Sequence, residues 1–265
     1  MADLEDEYSP SSRVGGSADP FIDDYQHRST TAHQGLGPRV MRLQGGSLLV
    51  PAPSSSSAGA APVLVFVHGG YWQALSAADS LYLAPALHRL GWSYLALEYA
   101  LAPHATLHTM VEQCTTALSE LAEALPDRGP VVFAGHSAGG HLVAMTALVR
   151  PSPIALHRVV LVSGVYDLRP LVHTSVNDVL GLDEAGAAAL SPALHSPAGT
   201  VAEVVVAWGD NETDAFKEQS RAYADRLRAD GLLVVHTECA GRHHFDIVDD
   251  LTNPASTLGA LTLET

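Results

Sequence analysis

The chain has 265 residues, 47% of them hydrophobic, which suffices for a large domain with a buried core and rules out disorder as the default. Its formal net charge is −15 at pH 7, with 14 Lys and Arg against 29 Asp and Glu. That balance argues against nucleic acid or an anionic membrane surface as partner, since both recruit clustered positive charge; a small-molecule partner is expected, with a homodimer left open.

The opening "MADLEDEYSP" is acidic and lacks the basic and apolar regions of a secretory signal, and no apolar stretch approaches the roughly 20 residues that span a bilayer. A cytoplasmic location is expected. Residues 1–38 are rich in Ser, Gly, Pro and Asp with little apolar periodicity, so they read as an N-terminal arm hugging the surface, and 39–265 as a single domain. "RVMRLQGGSLLV" (39–50) is strand-like. The low-complexity "PAPSSSSAGAAP" (51–62) that follows reads as a long hairpin loop into the next strand, VLVFV.

From Val63 onward, short continuously apolar runs alternate with helical patterns. VLVFV precedes 76–90, WSYLALEY precedes 107–125, PVVFAG precedes 137–149, RVVLVSG stands next, VAEVVVAWG precedes 213–230, and LLVVHTE follows. Runs apolar on both faces, joined by amphipathic helices, predict an α/β fold with a mainly parallel, doubly wound sheet. The segment 164–200 breaks the rhythm with short helical pieces and reads as a small roof over the carboxyl ends of the strands, where ligands bind in such sheets. Cys114 and Cys239, the two cysteines present, suggest neither a disulfide framework nor a thiolate metal site.

Gly135, His136, Ser137, Ala138 and Gly139 spell G-x-S-x-G between a strand and a helix. The turn leaves no room for side chains two positions either side of the serine, hence the glycines, while the hydroxyl is lifted clear of the sheet beside a helix amino terminus. "HGGYW" (68–72) follows VLVFV, and an HGG loop there would aim the amides of Gly69 and Gly70 at the same point as the amide of Ala138, as an oxyanion hole. His68 reads as an orienting residue of that loop. A serine nucleophile needs a base and an orienting carboxylate later in the chain. "GDNETDAF" offers Asp210, Glu212 and Asp214, and "CAGRHHFD" offers His243 and His244, each group after a strand. Three residues past the turn glycine, Glu212 is the chosen acid with Asp210 as fallback, and Asp214 reads as a helix-start charge. His244, ahead of the apolar Phe245, is chosen over His243. No H-E-x-x-H or other ligand spacing accompanies the 14 histidines, and no G-x-G-x-x-G follows the first strand, so neither a metal nor any cofactor is expected.

These residues resemble the arylformamidase (kynurenine formamidase) branch of the α/β-hydrolase superfamily, related to the hormone-sensitive-lipase-like esterases that share the HGG loop. The resemblance rests on "HGGYW", "EYALAPHATLHTMVEQC" (98–114), "GHSAGGHL", "SGVYDLRPLVHTSVNDVLGLDEAGAAALSP" (163–192), "ETDAFKEQSRAYADRL" (212–227) and "HFDIVDDL" (244–251), and more weakly on "YSPSS". It implies an α/β-hydrolase fold, with the acid at Glu212, four residues before Phe216, and the base at His244. The departure is Glu where aspartate is usual, which keeps Asp210 open.

The resemblance implies hydrolysis of an N-formyl arylamine, with N-formylkynurenine as model substrate and a place in tryptophan catabolism. Ser137 would attack, the amides of Gly69, Gly70 and Ala138 would hold the oxyanion, and Tyr71 and Trp72 would wall the aromatic pocket. Alternatives are an esterase or amidase for another small acyl group and a non-catalytic binding protein on the same fold. Tyr166, Leu171, His173 and Asn177 in the roof are candidates to face substrate, and Arg169 or Arg242 to clamp a substrate carboxylate.

Overall fold

The computed structural model describes residues 3–53, 60–198 and 201–265. Its strands are β1 (Met41–Arg42), β2 (Leu48–Val50), β3 (Val63–Val67), β4 (Ser93–Leu97), β5 (Val131–His136), β6 (Leu156–Val162), β7 (Val201–Asn211) and β8 (Val234–His243). Its α-helices are α1 (Leu4–Glu7), α2 (Asp19–Leu36), α3 (Ala84–Arg89), α4 (Leu107–Ala124), α5 (Ala138–Ala144), α6 (Asn177–Leu180), α7 (Glu184–Ala189), α8 (Asp214–Ala229) and α9 (Thr257–Leu263). The strands form one sheet in the order β1-β2-β4-β3-β5-β6-β7-β8. The pairs β1/β2 and β2/β4 are antiparallel, and every pair from β4 to β8 is parallel.

The continuous apolar runs follow from this sheet having no solvated face at its centre. Along β3, Val63, Val65 and Val67 enter one core, while Leu64 and Phe66 enter the other, as period-two alternation requires. The first core is closed by α4, α5 and α8 and the second by α2, α3 and α9. Helix α4 shows why its residues belong there. Leu107, Met110, Val111, Cys114, Ala117, Leu118 and Leu121 recur at the spacing that lines one helical face, and all are buried. Thr106 caps it, its Oγ1 accepting the Thr109 amide at 3.2 Å. Burying each such Val, Leu or Phe contributes about 1.5–3 kcal/mol.

One expectation is corrected. The 51–62 segment is not a hairpin loop between β2 and β3, because β4 lies between those strands; residues 54–59 of it lie outside the described residues. β2 is buried along its length and takes a neighbour on each edge, β4 on one side and β1 on the other. The tight turn is instead at Gly45 and Gly46, where the Gly46 amide donates to the Leu43 carbonyl at 3.0 Å and Gly46 has φ +95°.

The N-terminal segment folds back on the domain. Asp19–Leu36 forms the 18-residue helix α2, which buries Tyr25, Ser29, Ala32 and Leu36. Its apolar positions are few, which is why periodicity did not mark it. The roof, 164–200, contains α6 and α7 with short 3-10 turns; its residues 199 and 200 lie outside the described residues. No helix among the described residues is long and apolar enough to cross a membrane.

Candidate active site

The carboxyl ends of β3, β5, β6, β7 and β8 deliver Gly69, Ser137, Ser163, Glu212 and His244 to one side of the sheet. Ser137 occupies the corner between β5 and α5 with φ +55° and ψ −121°, a conformation that side-chain-bearing residues rarely adopt. Two glycines make the corner possible. A Cβ on Gly135 would lie 2.3 Å from the Gly139 carbonyl oxygen, and one on Gly139 would lie 2.1 Å from the carbonyl oxygen of Val67. The Ser137 amide donates to the Val162 carbonyl at 2.9 Å, anchoring the corner to β6. Ala138 is the first residue of α5, so its amide is among the four that a helix start leaves without an intrahelical acceptor.

The HGG loop packs directly on this corner. A Cβ on Gly69 would meet Ser137 Cβ at 3.1 Å, and Gly70 has φ +93° with a would-be Cβ 2.4 Å from the Ala74 carbonyl oxygen. His68 holds the loop from behind. Its Nδ1 lies 2.9 Å from the Gly69 carbonyl oxygen, its ring stacks on Tyr99 at 4.3 Å, and the Tyr99 hydroxyl donates to the carbonyls of His68 and Gly69.

Glu212 and His244 form a buried pair, with His244 Nδ1 3.0 Å from Glu212 Oε2. An ionised carboxylate only accepts, so Nδ1 carries the proton and Nε2 keeps its lone pair. The other carboxylate oxygen, Oε1, accepts from Ser163 Oγ and from the Gly209 amide, both at 2.6 Å. These three hydrogen bonds offset the desolvation cost of the buried carboxylate and fix its position. His136 supports the imidazole from below, its Nε2 donating to the His244 carbonyl at 2.7 Å with the rings 4.7 Å apart. Burial, and then the proximity of His244, hold the His136 pKa well below the usual histidine value, so it stays neutral and a donor. Ser137 and His244 line the same cleft without a closed hydrogen bond between them among the described residues; such contacts tighten when a substrate is bound.

That cleft has a volume of about 360 Å³ and reaches from the Ser137 corner, which is buried, to Glu5 and Ser175 at the exposed rim. Tyr8, Tyr25, Tyr71 and Phe245 supply its aromatic walls. A larger groove of about 590 Å³ runs beside α2 and shares no lining residue with it, Ser137 included.

The N-terminal segment is the part of the site that motif reading missed. Tyr8, Ser9, Pro10, Ser11, Ala18, Ile22 and Tyr25 line the cleft. The Tyr71 hydroxyl donates to the Tyr8 carbonyl at 2.5 Å, Tyr25 to the Phe245 carbonyl, and Gln219 Nε2 to the Tyr8 hydroxyl at 3.0 Å. Ser163 was missed as well. The one local signal was a serine directly after an apolar strand, and it has φ +50° at its own strand-end corner.

Several sequence candidates lie elsewhere. Trp72 is corrected as a cleft residue: its indole is fully buried, edge-on to His141 at 5.1 Å, and does not line the cleft. Gly70, Tyr71 and Trp72 all have positive φ, so the backbone coils and turns Tyr71 toward the cleft and Trp72 into the core. Tyr166 and Leu171 are buried, Tyr166 stacked on Tyr223 at 4.3 Å. His173 pairs with Glu184 at 3.0 Å, and Asn177 braces Val172 and Leu182, so the roof lines the cleft through Ser175 and Val176 instead. Arg169 pairs with Asp167 and Arg242 with Asp250, each at 2.6 Å, and neither lines the cleft. Asp210 stands on an exposed edge where its Oδ2 accepts the Gly241 amide at 2.9 Å, and Asp214 opens α8. His243 turns away, with Phe21 edge-on to its ring at 5.0 Å. Both cysteines are buried and unpaired, and no group of three or more His, Cys, Asp or Glu among the described residues could hold a metal ion.

Residues 64–246 match the family model for the alpha/beta hydrolase fold. The chain is 33% identical over 276 residues to a kynurenine formamidase of Drosophila melanogaster, covering 94% of this chain and 92% of that protein. It is 32% identical over 232 residues to a kynurenine formamidase of Danio rerio, covering 83% and 78%. Among solved structures it superimposes on a candidate thioesterase from Silicibacter sp. with a TM-score of 0.83 at 27% identity, covering 100% of both chains. The chain therefore belongs to the alpha/beta hydrolases, in their kynurenine formamidase branch, and is an enzyme of the serine hydrolase type.

Proposed function

We propose that the protein hydrolyses an N-formyl arylamine, with N-formylkynurenine as the model substrate, to the free arylamine and formate. The observation that carries this reading is the Ser137 corner sharing one aromatic cleft with a buried Glu212–His244 pair. The names of the relatives supply the acyl group.

In this reading His244 Nε2 takes the Ser137 proton as Oγ attacks the formyl carbon, and Glu212 holds the imidazole in the required tautomer. The oxyanion rests on the amides of Gly69, Gly70 and Ala138, each good donor contributing on the order of 3 kcal/mol to the transition state. His244 then protonates the departing aniline nitrogen, and water, deprotonated by the same imidazole, releases formate from the formyl-serine. Tyr71 and the walls from the N-terminal segment take the aryl ring. A cavity of about 360 Å³ sits at the small end of the range for ligand pockets and suits one aromatic leaving group with a minimal acyl group.

The test compares N-formylkynurenine with p-nitrophenyl acetate and butyrate, in the wild type and in Ser137→Ala. The formamide is expected to give the highest kcat/KM and to lose it in the variant. Turnover of the esters alone through Ser137 would replace the formamidase with an esterase.

A further inference from the structure

The charges on the cleft wall bear on which aryl formamide enters it. No Lys or Arg lines the cleft among the described residues; Arg169 and Arg242 are each committed to an aspartate outside it. Among the described residues the lining holds one carboxylate, that of Glu5 at the exposed rim. Its position is defined by the roof. The Ser175 amide donates to Glu5 Oε2 at 2.9 Å and the Ser175 hydroxyl donates to Oε1. These hydrogen bonds hold the Glu5 carboxyl below its usual pKa, so it is ionised at neutral pH. Each carboxylate oxygen retains a second lone pair for a ligand donor. His136, the nearest imidazole besides His244, stays neutral and supplies no positive charge.

Resting on the formamidase reading, we propose that Glu5 makes the cleft selective for aryl formamides whose side chain ends in an ammonium and carries no free carboxylate. The ring stacks among Tyr8, Tyr25, Tyr71 and Phe245 with the formamide at Ser137. The ammonium reaches the rim and meets Glu5, whereas a substrate carboxylate brought there finds no cation and a like charge. Because Glu5 is solvent-exposed, its effect is that of an exposed ion pair, about two- to fivefold per charge in kcat/KM, and added salt screens it.

Three probes separate the claims: neutral 2-formamidoacetophenone, the terminal ammonium 3-amino-1-(2-formamidophenyl)propan-1-one, and zwitterionic N-formylkynurenine. The expected order of kcat/KM is ammonium above neutral and zwitterion, with the ammonium-to-neutral ratio falling toward 1 in Glu5→Gln and in high salt. Ser175→Ala removes one arm of the clasp and keeps the Glu5 charge, so it is expected to keep most of that ratio; an equal fall in both variants would assign the effect to the clasp and overturn the proposal. Hydrolysis of all three with the zwitterion equal or preferred would overturn the selectivity while leaving the formamidase reading intact. Failure of Ser137 to turn over even the neutral formamide would overturn both.

Discussion

Replacing Glu212 with Gln changes the shape of the side chain hardly at all but reverses one hydrogen bond. Oε1 accepts from the Ser163 hydroxyl and the Gly209 amide, both at 2.6 Å, and the Gly209 N–H cannot become an acceptor. The single oxygen of glutamine must therefore stay at that position, which sets its NH₂ at the former Oε2, facing His244 Nδ1 at about 3.0 Å. Nδ1 then has to accept, the proton moves to Nε2, and the imidazole loses the lone pair that receives the Ser137 proton. In a serine triad this tautomer reversal costs roughly 10⁴ in kcat, or about 5 kcal/mol. Stability falls by about 1–3 kcal/mol, because the oxygen at the Oε1 position and His244 Nδ1 keep their partners while the second N–H of the buried amide meets no acceptor among the described groups around Glu212. The assay is kcat/KM on the best substrate above, paired with thermal unfolding, for Glu212→Gln and Asp210→Asn. Asp210→Asn alters only an exposed contact to Gly241 and should change kcat/KM by less than roughly threefold. Activity within tenfold of wild type in Glu212→Gln, together with its loss in Asp210→Asn, would refute the reasoning and make Asp210 the orienting acid.

Gly139→Ala should abolish activity and lower the melting temperature or the soluble yield, because its Cβ would sit 2.1 Å from the Val67 carbonyl oxygen at the end of β3 and 2.6 Å from that of His68, which opens the oxyanion loop. Activity near wild type would mean the corner tolerates a wider turn than the structure shows. Acid should weaken the fold through His141, whose burial lowers its pKa to about 4. Its folded pKa lies below the unfolded value of about 6.5, so the unfolded chain binds the extra proton between those values and stability falls as pH drops across that window. The loss attributable to this residue approaches about 3 kcal/mol at pH 4. Urea unfolding from pH 7 to pH 4 should show a flatter fall in His141→Gln, whose amide can still donate to the Leu190 carbonyl that His141 Nε2 meets at 2.7 Å; identical pH profiles would refute this.

Much of the fold was legible because its determinants are local. The short continuously apolar runs VLVFV and VVFAGH, and the helical spacing from Leu107 to Leu121, specify strand and helix within windows of a few residues. The G-x-S-x-G spacing was informative for the same reason, since both glycines answer steric contacts at a single corner. The strand-end positions of Glu212 and His244 were legible, and the structure brings them within hydrogen-bond distance.

What only the tertiary structure decided depends on residues far apart in the chain. β2 pairs with β4 rather than β3, a choice made by sheet packing and not by the Ser-rich loop that follows it. Glu212 rather than Asp210 meets His244 because a shift in β7/β8 register between Gly209 and Asn211, with the Arg242 carbonyl close against Gly209, leaves Asp210 on the exposed edge. The acidic N-terminal segment carries no strong periodicity, yet Tyr8 and Tyr25 reach Tyr71 and Phe245 and complete the cleft. Sequence by itself determined the elements and the serine corner, because neighbouring residues set them. Strand order, the orienting carboxylate and the walls around the substrate were decided by contacts across as many as 220 positions, whose energy exists only once the core has closed.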